Sequence, residues 1–212
     1  MIKQIINWLK DLLFPIQCVN CENVYDVWLC EKCKQQMLQP QKIYFPKNSD
    51  LAGLFYLAPY ANKIIQKIIH QYKYGYSQEI ADILAVELIS VIHEKFDYII
   101  PVPLHRKRLR ERGFNQAELI ATKLAMAKVG QLRTDIVYRQ KYTHAQAKLS
   151  EAERFANTKQ AFSIINPNLS LVGKRVLIID DVYTTGNTIN QVIQALKPLQ
   201  IAEIWAATVA KG

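Results

Sequence analysis

The chain has 212 residues, 50% hydrophobic and 21% charged, with 27 Lys and Arg against 18 Asp and Glu and a formal net charge of +9. This composition excludes a disordered or collagen-like chain and supports one good core plus a small appendage. The positive excess suits a polyanionic partner (nucleic acid, a phosphorylated small molecule or a membrane surface) and equally a plain basic globular protein.

The chain opens with "MIKQIINWLKDLLFPIQC". Ile2, Ile5, Ile6, Leu9 and Leu13 fall at helical spacing on one face, and Pro15 ends the pattern. Lys10 and Asp11 interrupt the apolar stretch and no small-residue cleavage site follows, so the segment does not read as a signal peptide. The apolar face is expected to pack on the body, with a membrane surface as the lesser alternative. No apolar run reaches the ~18–20 residues of a membrane span. The expected location is the cytoplasm.

All four cysteines follow in "CVNCENVYDVWLCEKC": Cys18, Cys21, Cys30 and Cys33. Each C-x2-C pair lets a tight turn aim two thiolates at one point, and two such turns supply a tetrahedral structural Zn2+ site. An iron–sulfur centre and a pair of disulfides are the alternatives. Four thiolates leave no open coordination position, so the metal would be structural. About thirty residues bury too little core alone, so metal binding would be folding energy here.

A Pro- and Lys-containing stretch, Pro40 to Asp50, separates this knuckle from the rest. The division expected is residues 1–45 for the amino-terminal helix and knuckle, and 50–212 for the body. Gly53 to Ala58 reads as a strand. Ile64, Ile65, Ile68, Ile69 and Tyr72 share one helical face, and Ile80, Ile83, Leu84, Leu88, Val91 and Ile92 another. "DYIIPVP" is a short buried strand. "NQAELIATKLAMAK" is a helix, "RVLIID" a strand, "TINQVIQALKPL" a helix and "EIWAATVA" a closing strand. Strands alternating with helices indicate an α/β fold with a parallel sheet flanked by helices, whose ligands bind beyond the carboxyl ends of the strands.

"VLIIDDVYTTGNTI", Val176 to Ile189, lies at such an end. Helix amino termini hold phosphate through unpartnered N–H groups and the dipole. Gly186 permits close approach, and Thr184, Thr185, Asn187 and Thr188 add hydroxyl and amide donors. Asp180 and Asp181 would repel a phosphate, so they address another part of the ligand. Vicinal ribose hydroxyls, directly or through Mg2+, are natural partners. A capped helix beside solvated acids accounts for each residue alone, but not for the combination.

The stretch resembles the 5-phosphoribosyl-1-pyrophosphate (PRPP) motif of type I phosphoribosyltransferases: apolar strand, Asp-Asp, a variable pair, Thr-Thr-Gly, a small polar residue, Thr. "PVPLHRKRLRERGFNQAELIA", "YTHAQAKLSEAERFANTKQAF" and the cysteine knuckle together resemble the ComF family (ComFC/GntX-type), linked to competence, transformation and DNA uptake. Matching positions are Arg108, Arg112 to Gln116, Thr143, Gln146, Leu149, Arg154, Asn157 and Ala161-Phe162. Lys73 to Tyr76, "KYGY", resembles a family position near the cleft and otherwise reads as a surface turn.

Arg106, Lys107, Arg108 and Arg112 form a basic run after a strand, suited to pyrophosphate or another polyanion. Gly113 is expected to make a turn there, with Asn115 near the next helix cap. The resemblance implies Mg2+-assisted displacement of pyrophosphate from PRPP, a glycosyltransferase reaction, with Asp180 and Asp181 catalytic. Thr184, Thr185, Gly186, Asn187 and Thr188 would hold the 5-phosphate. The alternative is a non-catalytic protein that senses PRPP or binds single-stranded DNA. Competence machinery such as a helicase is an implied partner.

Overall fold

The computed structural model describes residues 15–25, 27–74, 78–140 and 161–212. The amino-terminal helix, Gly75 and Tyr76 of "KYGY", and the family positions from Thr143 to Asn157 lie outside them.

The core is one six-stranded sheet, ordered β1-β2-β8-β7-β3-β4. Its strands are β1 (Gln41–Tyr44), β2 (Gly53–Pro59), β3 (Tyr98–Pro101), β4 (Gln131–Leu132), β7 (Arg175–Tyr183) and β8 (Glu203–Lys211). Every neighbouring pair is parallel except β1 with β2. The antiparallel edge strand β1 arises inside the stretch expected to be a separator. β5 (Val137–Arg139) and β6 (Phe162–Ile164) form a separate antiparallel pair.

Parallel strands covered on both faces read as continuous apolar runs, as β2, β7 and β8 do. Side chains alternate across the sheet, so each strand feeds two cores. Phe55, Leu57, Leu177, Ile179 and Trp205 pack under α2 (Lys63–Tyr74), α3 (Ile80–Val91) and α5 (Gln116–Met126). Leu54, Ile100, Val176, Ile178 and Ala206 face α6 (Asn187–Leu196) and the β5–β6 pair. Two short elements precede α2 and α5: α1 (Glu31–Met37) and α4 (Arg106–Arg112).

The cysteine knuckle is seated on the body. Cys18, Leu29, Cys30, Cys33 and Met37 share one buried cluster with Ile65, Ile68 and Leu84. Lys67 Nζ donates to the Asn20 carbonyl at 3.1 Å, and Lys34 pairs with Glu87 at 3.2 Å. Among the described residues no helix is long and apolar enough to cross a membrane.

Candidate functional site

Unequal strand lengths open the cleft. β3 stops at Pro101 opposite Ile179, and the Val102 N–H makes a last bond to the Ile179 carbonyl at 2.8 Å. β7 runs on beside β8 alone, with Asp180 opposite Thr208 and Tyr183 opposite Lys211. The two aspartates therefore lie within the strand, not at its exit, with one edge of the strand left open. Beside that edge is a cavity of about 190 Å3, bordered by Lys73, Arg108, Arg112, Arg139, Asp180 and Asp181.

Strand alternation sends the two carboxylates to opposite sides. Asp181 follows Leu177 and Ile179 toward α2, where Lys73 Nζ meets its Oδ2 at 2.6 Å. Asp180 follows Val176 and Ile178 toward the β5–β6 pair, the side that carries Arg139. The Asp181 N–H donates to Asp180 Oδ1 at 2.9 Å. Burial, reinforced by the neighbouring Asp181 charge, pushes the Asp180 carboxyl up to about 7; that N–H, Lys73 and Arg139 oppose the rise.

The basic segment is sorted by its helix. Arg108 and Arg112, one turn apart on α4, line the cavity half-buried. Arg106 and Lys107 are exposed and are not among the residues bordering it. His105 caps α4 by accepting the Lys107 N–H. Gly113 ends it in the left-handed region at φ 78°, as a turn-maker should. Asn115 caps α5 by accepting the Ala117 N–H, and its amide donates to the Val102 carbonyl at 3.1 Å, which ties the corner to the end of β3. Buried Gln116 accepts from Arg112 Nη1 at 3.1 Å, and the Gln116 carbonyl accepts from buried Tyr72 Oη at 2.7 Å. Arg112 is thus aimed by the residue four positions ahead of it.

The Thr-Thr-Gly turn closes the other side. Gly186 sits before α6 at φ 76°, and a Cβ there would enter the Tyr183 ring, 2.7 Å from Cζ. α6 begins without a side-chain cap, which leaves its first N–H groups facing outward. Thr188 borders the cavity, while Thr184, Thr185 and Asn187 are exposed and, like Gly186, are not among the residues bordering it. Thr188, in the first turn of α6, the carboxylates, Arg108 and Arg112 therefore share one mouth.

The four cysteine sulfurs lie within 4.8 Å of one another, far from this mouth in sequence and on the α2 side of the sheet. Cys21 and Cys30 Sγ are 3.9 Å apart, close to the ~3.8 Å edge of a tetrahedron with 2.3 Å metal–sulfur bonds. Burial opposes ionisation of the Cys18 thiol, yet the backbone N–H groups of Cys21, Cys30 and Asn20 bring it down to about 6. The cluster can hold a metal ion.

Two cavity residues differ in how far the sequence pointed to them. Lys73 ends an amphipathic helix whose pattern describes packing, and only the resemblance of "KYGY" to a family position near the cleft marked it. Arg139 stands on a three-residue strand with no motif around it. Its guanidinium lies 5.2 Å from the Phe162 ring centroid, across the β5–β6 pair. The packing of the β5–β6 pair on the large sheet brings it to the cavity that Asp180 borders.

Residues 77–212 match the family model described as Phosphoribosyl transferase domain. Competence protein F of Haemophilus influenzae is 40% identical over 106 residues, 50% of this chain and 46% of that protein. DNA utilization protein YhgH of Escherichia coli K12 is 34% identical over 140 residues, 62% of this chain and 60% of that protein. Competence protein ComFC of Bacillus subtilis is 30% identical over 134 residues, 61% of this chain and 52% of that protein. The matched stretch thus spans about half to three-fifths of these relatives. Among solved structures, an adenine phosphoribosyltransferase from Thermoanaerobacter pseudethanolicus has a TM-score of 0.43 at 17% identity over 86% of this chain and 100% of that one, too distant a likeness to read function from.

A carboxyl raised to about 7 in the folded chain penalises folding above pH 7, and the penalty fades as pH falls toward its ordinary value near 3.8. Asp180→Asn removes the penalty. Thermal melts should show the variant more stable than the native chain at pH 8, by about 1–2 kcal/mol, with the difference shrinking steadily to pH 5. A difference independent of pH would disprove the assignment.

Proposed function

Because the chain belongs to the phosphoribosyl transferase domain family, and within it to the ComF family, we propose that its cleft binds PRPP and supports displacement of pyrophosphate from C1 of the ribose. Such a domain implies PRPP as the kind of ligand. The observation that carries the reading is the shared mouth: two carboxylates on β7, an uncapped helix start after Thr184 to Gly186, and a basic wall opposite.

The parts divide the ligand by charge. The first N–H groups of α6, with the hydroxyls of Thr184, Thr185 and Thr188 and the Asn187 amide, receive the 5-phosphate, and Gly186 keeps that turn free of a Cβ. Asp180 and Asp181 accept the ribose hydroxyls and favour the positive charge that develops at C1. Arg108 and Arg112 steady the leaving pyrophosphate. Mg2+, generally used by this domain family, would supply further charge neutralisation of the pyrophosphate oxygens. The paired carboxylates and the ligand's own oxygens are the hard donors that ion takes.

The relatives' names attach this chemistry to competence and DNA utilization, and we extend that setting to this chain. A second reading, contact with single-stranded DNA, is favoured by the exposed basic residues Arg106, Lys107 and Arg110 outside the cavity. For the four cysteines the reading is structural Zn2+, since an all-thiolate tetrahedron suits that ion and leaves no open position.

Three measurements test these readings. Calorimetric titration of PRPP, with and without Mg2+, should show Asp180→Ala/Asp181→Ala binding about 100-fold more weakly than the native protein, the equivalent of two lost charge-assisted hydrogen bonds. Undiminished binding would sink the ribose grip. Metal analysis should return about one zinc per native chain and almost none for Cys18→Ser, with a lower melting temperature for the variant; a metal-free native protein that melts normally refutes the knuckle. Affinity for a single-stranded oligonucleotide should fall steeply as salt rises. No binding at low salt removes direct DNA contact.

A further inference from the structure

We infer that Gln116 is a positioning residue for the cleft: its buried side-chain amide joins Arg112 to the end of the helix that carries Lys73, and so fixes the placement of those two cations relative to each other. The inference rests on the PRPP reading of the cavity.

Three helix ends meet at this side chain. Arg112 is the last residue of α4, Gln116 is the first of α5, and Tyr72 lies in the last turn of α2. Gln116 is 2% exposed. Its Oε1 accepts from Arg112 Nη1 at 3.1 Å, and its Nε2 donates to the Tyr72 carbonyl at 3.4 Å. That carbonyl belongs to the final turn of α2, where carbonyl groups have no partner within the helix. A residue 44 positions away in sequence supplies one. A return bond runs from Tyr72 Oη to the Gln116 carbonyl at 2.7 Å. The two residues form a reciprocal pair away from water, where a hydrogen bond left unmade is costly. Asn115, the neighbour of Gln116, donates to the Val102 carbonyl at 3.1 Å, so the pair is also referenced to the end of β3.

An amide suits this place better than a carboxylate. The group facing a guanidinium must accept, the group facing a carbonyl must donate, and glutamine does both with one planar unit. Glutamate would bind Arg112 more strongly, but it would offset the charge of the guanidinium and set a carboxylate against the Tyr72 carbonyl. The neutral amide aims Arg112 without adding a negative charge beside it.

Arg112 meets α2 a second time. Its guanidinium carbon lies 5.4 Å from the ring centroid of Tyr74, the last residue of that helix. Between the two attachment points stands Lys73, whose Nζ reaches Asp181 Oδ2 at 2.6 Å. Both cations border the cavity. One hydrogen-bonded corner therefore sets their arrangement in place of two independently flexible side chains. Such pre-organisation lowers the entropy lost when an anion binds.

The test uses the full chain and two probes, inorganic pyrophosphate and ribose 5-phosphate, with affinities measured by calorimetry. Gln116→Met keeps the length and volume but loses the amide's hydrogen bonds to Arg112 and Tyr72. It should bind pyrophosphate about tenfold more weakly, with ribose 5-phosphate bound within about threefold of native. Arg112→Met should lose at least as much pyrophosphate affinity. Because Gln116 acts through Arg112, the double variant should bind pyrophosphate within about threefold of Arg112→Met alone. Losses that add in full, an equal loss of both probes, or native-like pyrophosphate affinity in either single variant overturns the positioning role while leaving the PRPP reading in place. A native chain that binds neither probe overturns both. Should Gln116→Met fail to fold, Gln116→Asn takes its place in the cycle, since its amide is one methylene too short to span both partners; the same losses are expected, and unchanged pyrophosphate affinity there also refutes the assignment.

Discussion

Two adjacent carboxylates on the unpaired edge of one strand set the terms for the rest of this cleft. The pleat of β7 turns Asp180 and Asp181 to opposite sides of the sheet, so each meets cations from its own layer, with Lys73 acting on both. Compensation must come from both layers. Lys73 supplies it from α2 at 2.6 Å, and Arg139 supplies it more distantly from the β5–β6 pair. Burial, with the Asp181 charge beside it, keeps the Asp180 carboxyl raised. Natural proteins keep such strain where a ligand will relieve it.

The surrounding architecture holds that arrangement still. β7 lies between β8 and β3 with a wholly buried run, Val176 to Ile179, below the aspartates. The early stop of β3 makes the opening, and Asn115 ties the end of β3 to the start of α5. Through Gln116, the same corner fixes Arg112 and reaches Tyr72 on α2, one residue before Lys73. Cations on both walls are thus referenced to one hydrogen-bonded corner. The knuckle docks on α2 and α3 from the far side and stiffens the helices that carry Lys73.

The cysteine cluster and the cleft would use their charged groups in opposite ways. Four thiolates around one ion would form a closed set that serves folding. The cleft is an open set: among the described residues two acids and four bases surround a cavity of about 190 Å3, in the stretch 77–212 that matches the domain family.

Most of the helices and parallel strands were legible because their hydrophobic periods are unambiguous: Ile65, Ile68, Ile69 and Tyr72 on one helical face, and an unbroken apolar run at Val176 to Ile179. The cysteine spacing and the Asp-Asp…Thr-Thr-Gly run were legible as candidate sites because the residues that compose each lie close together in sequence. The edge strand β1 was not, since a four-residue strand is made by its partner β2 and carries no period of its own. Nor could charge alone sort the run from His105 to Arg112. The helix there turns Arg108 and Arg112 to the cavity and leaves Arg106 exposed, a sorting that charge does not encode. Arg139 marks the limit most clearly: the sequence by itself determined the sheet, the turn and the acids, while the tertiary structure alone decided which distant cations face them. Contacts between residues forty or a hundred positions apart are set by how layers pack, and no local pattern records that packing.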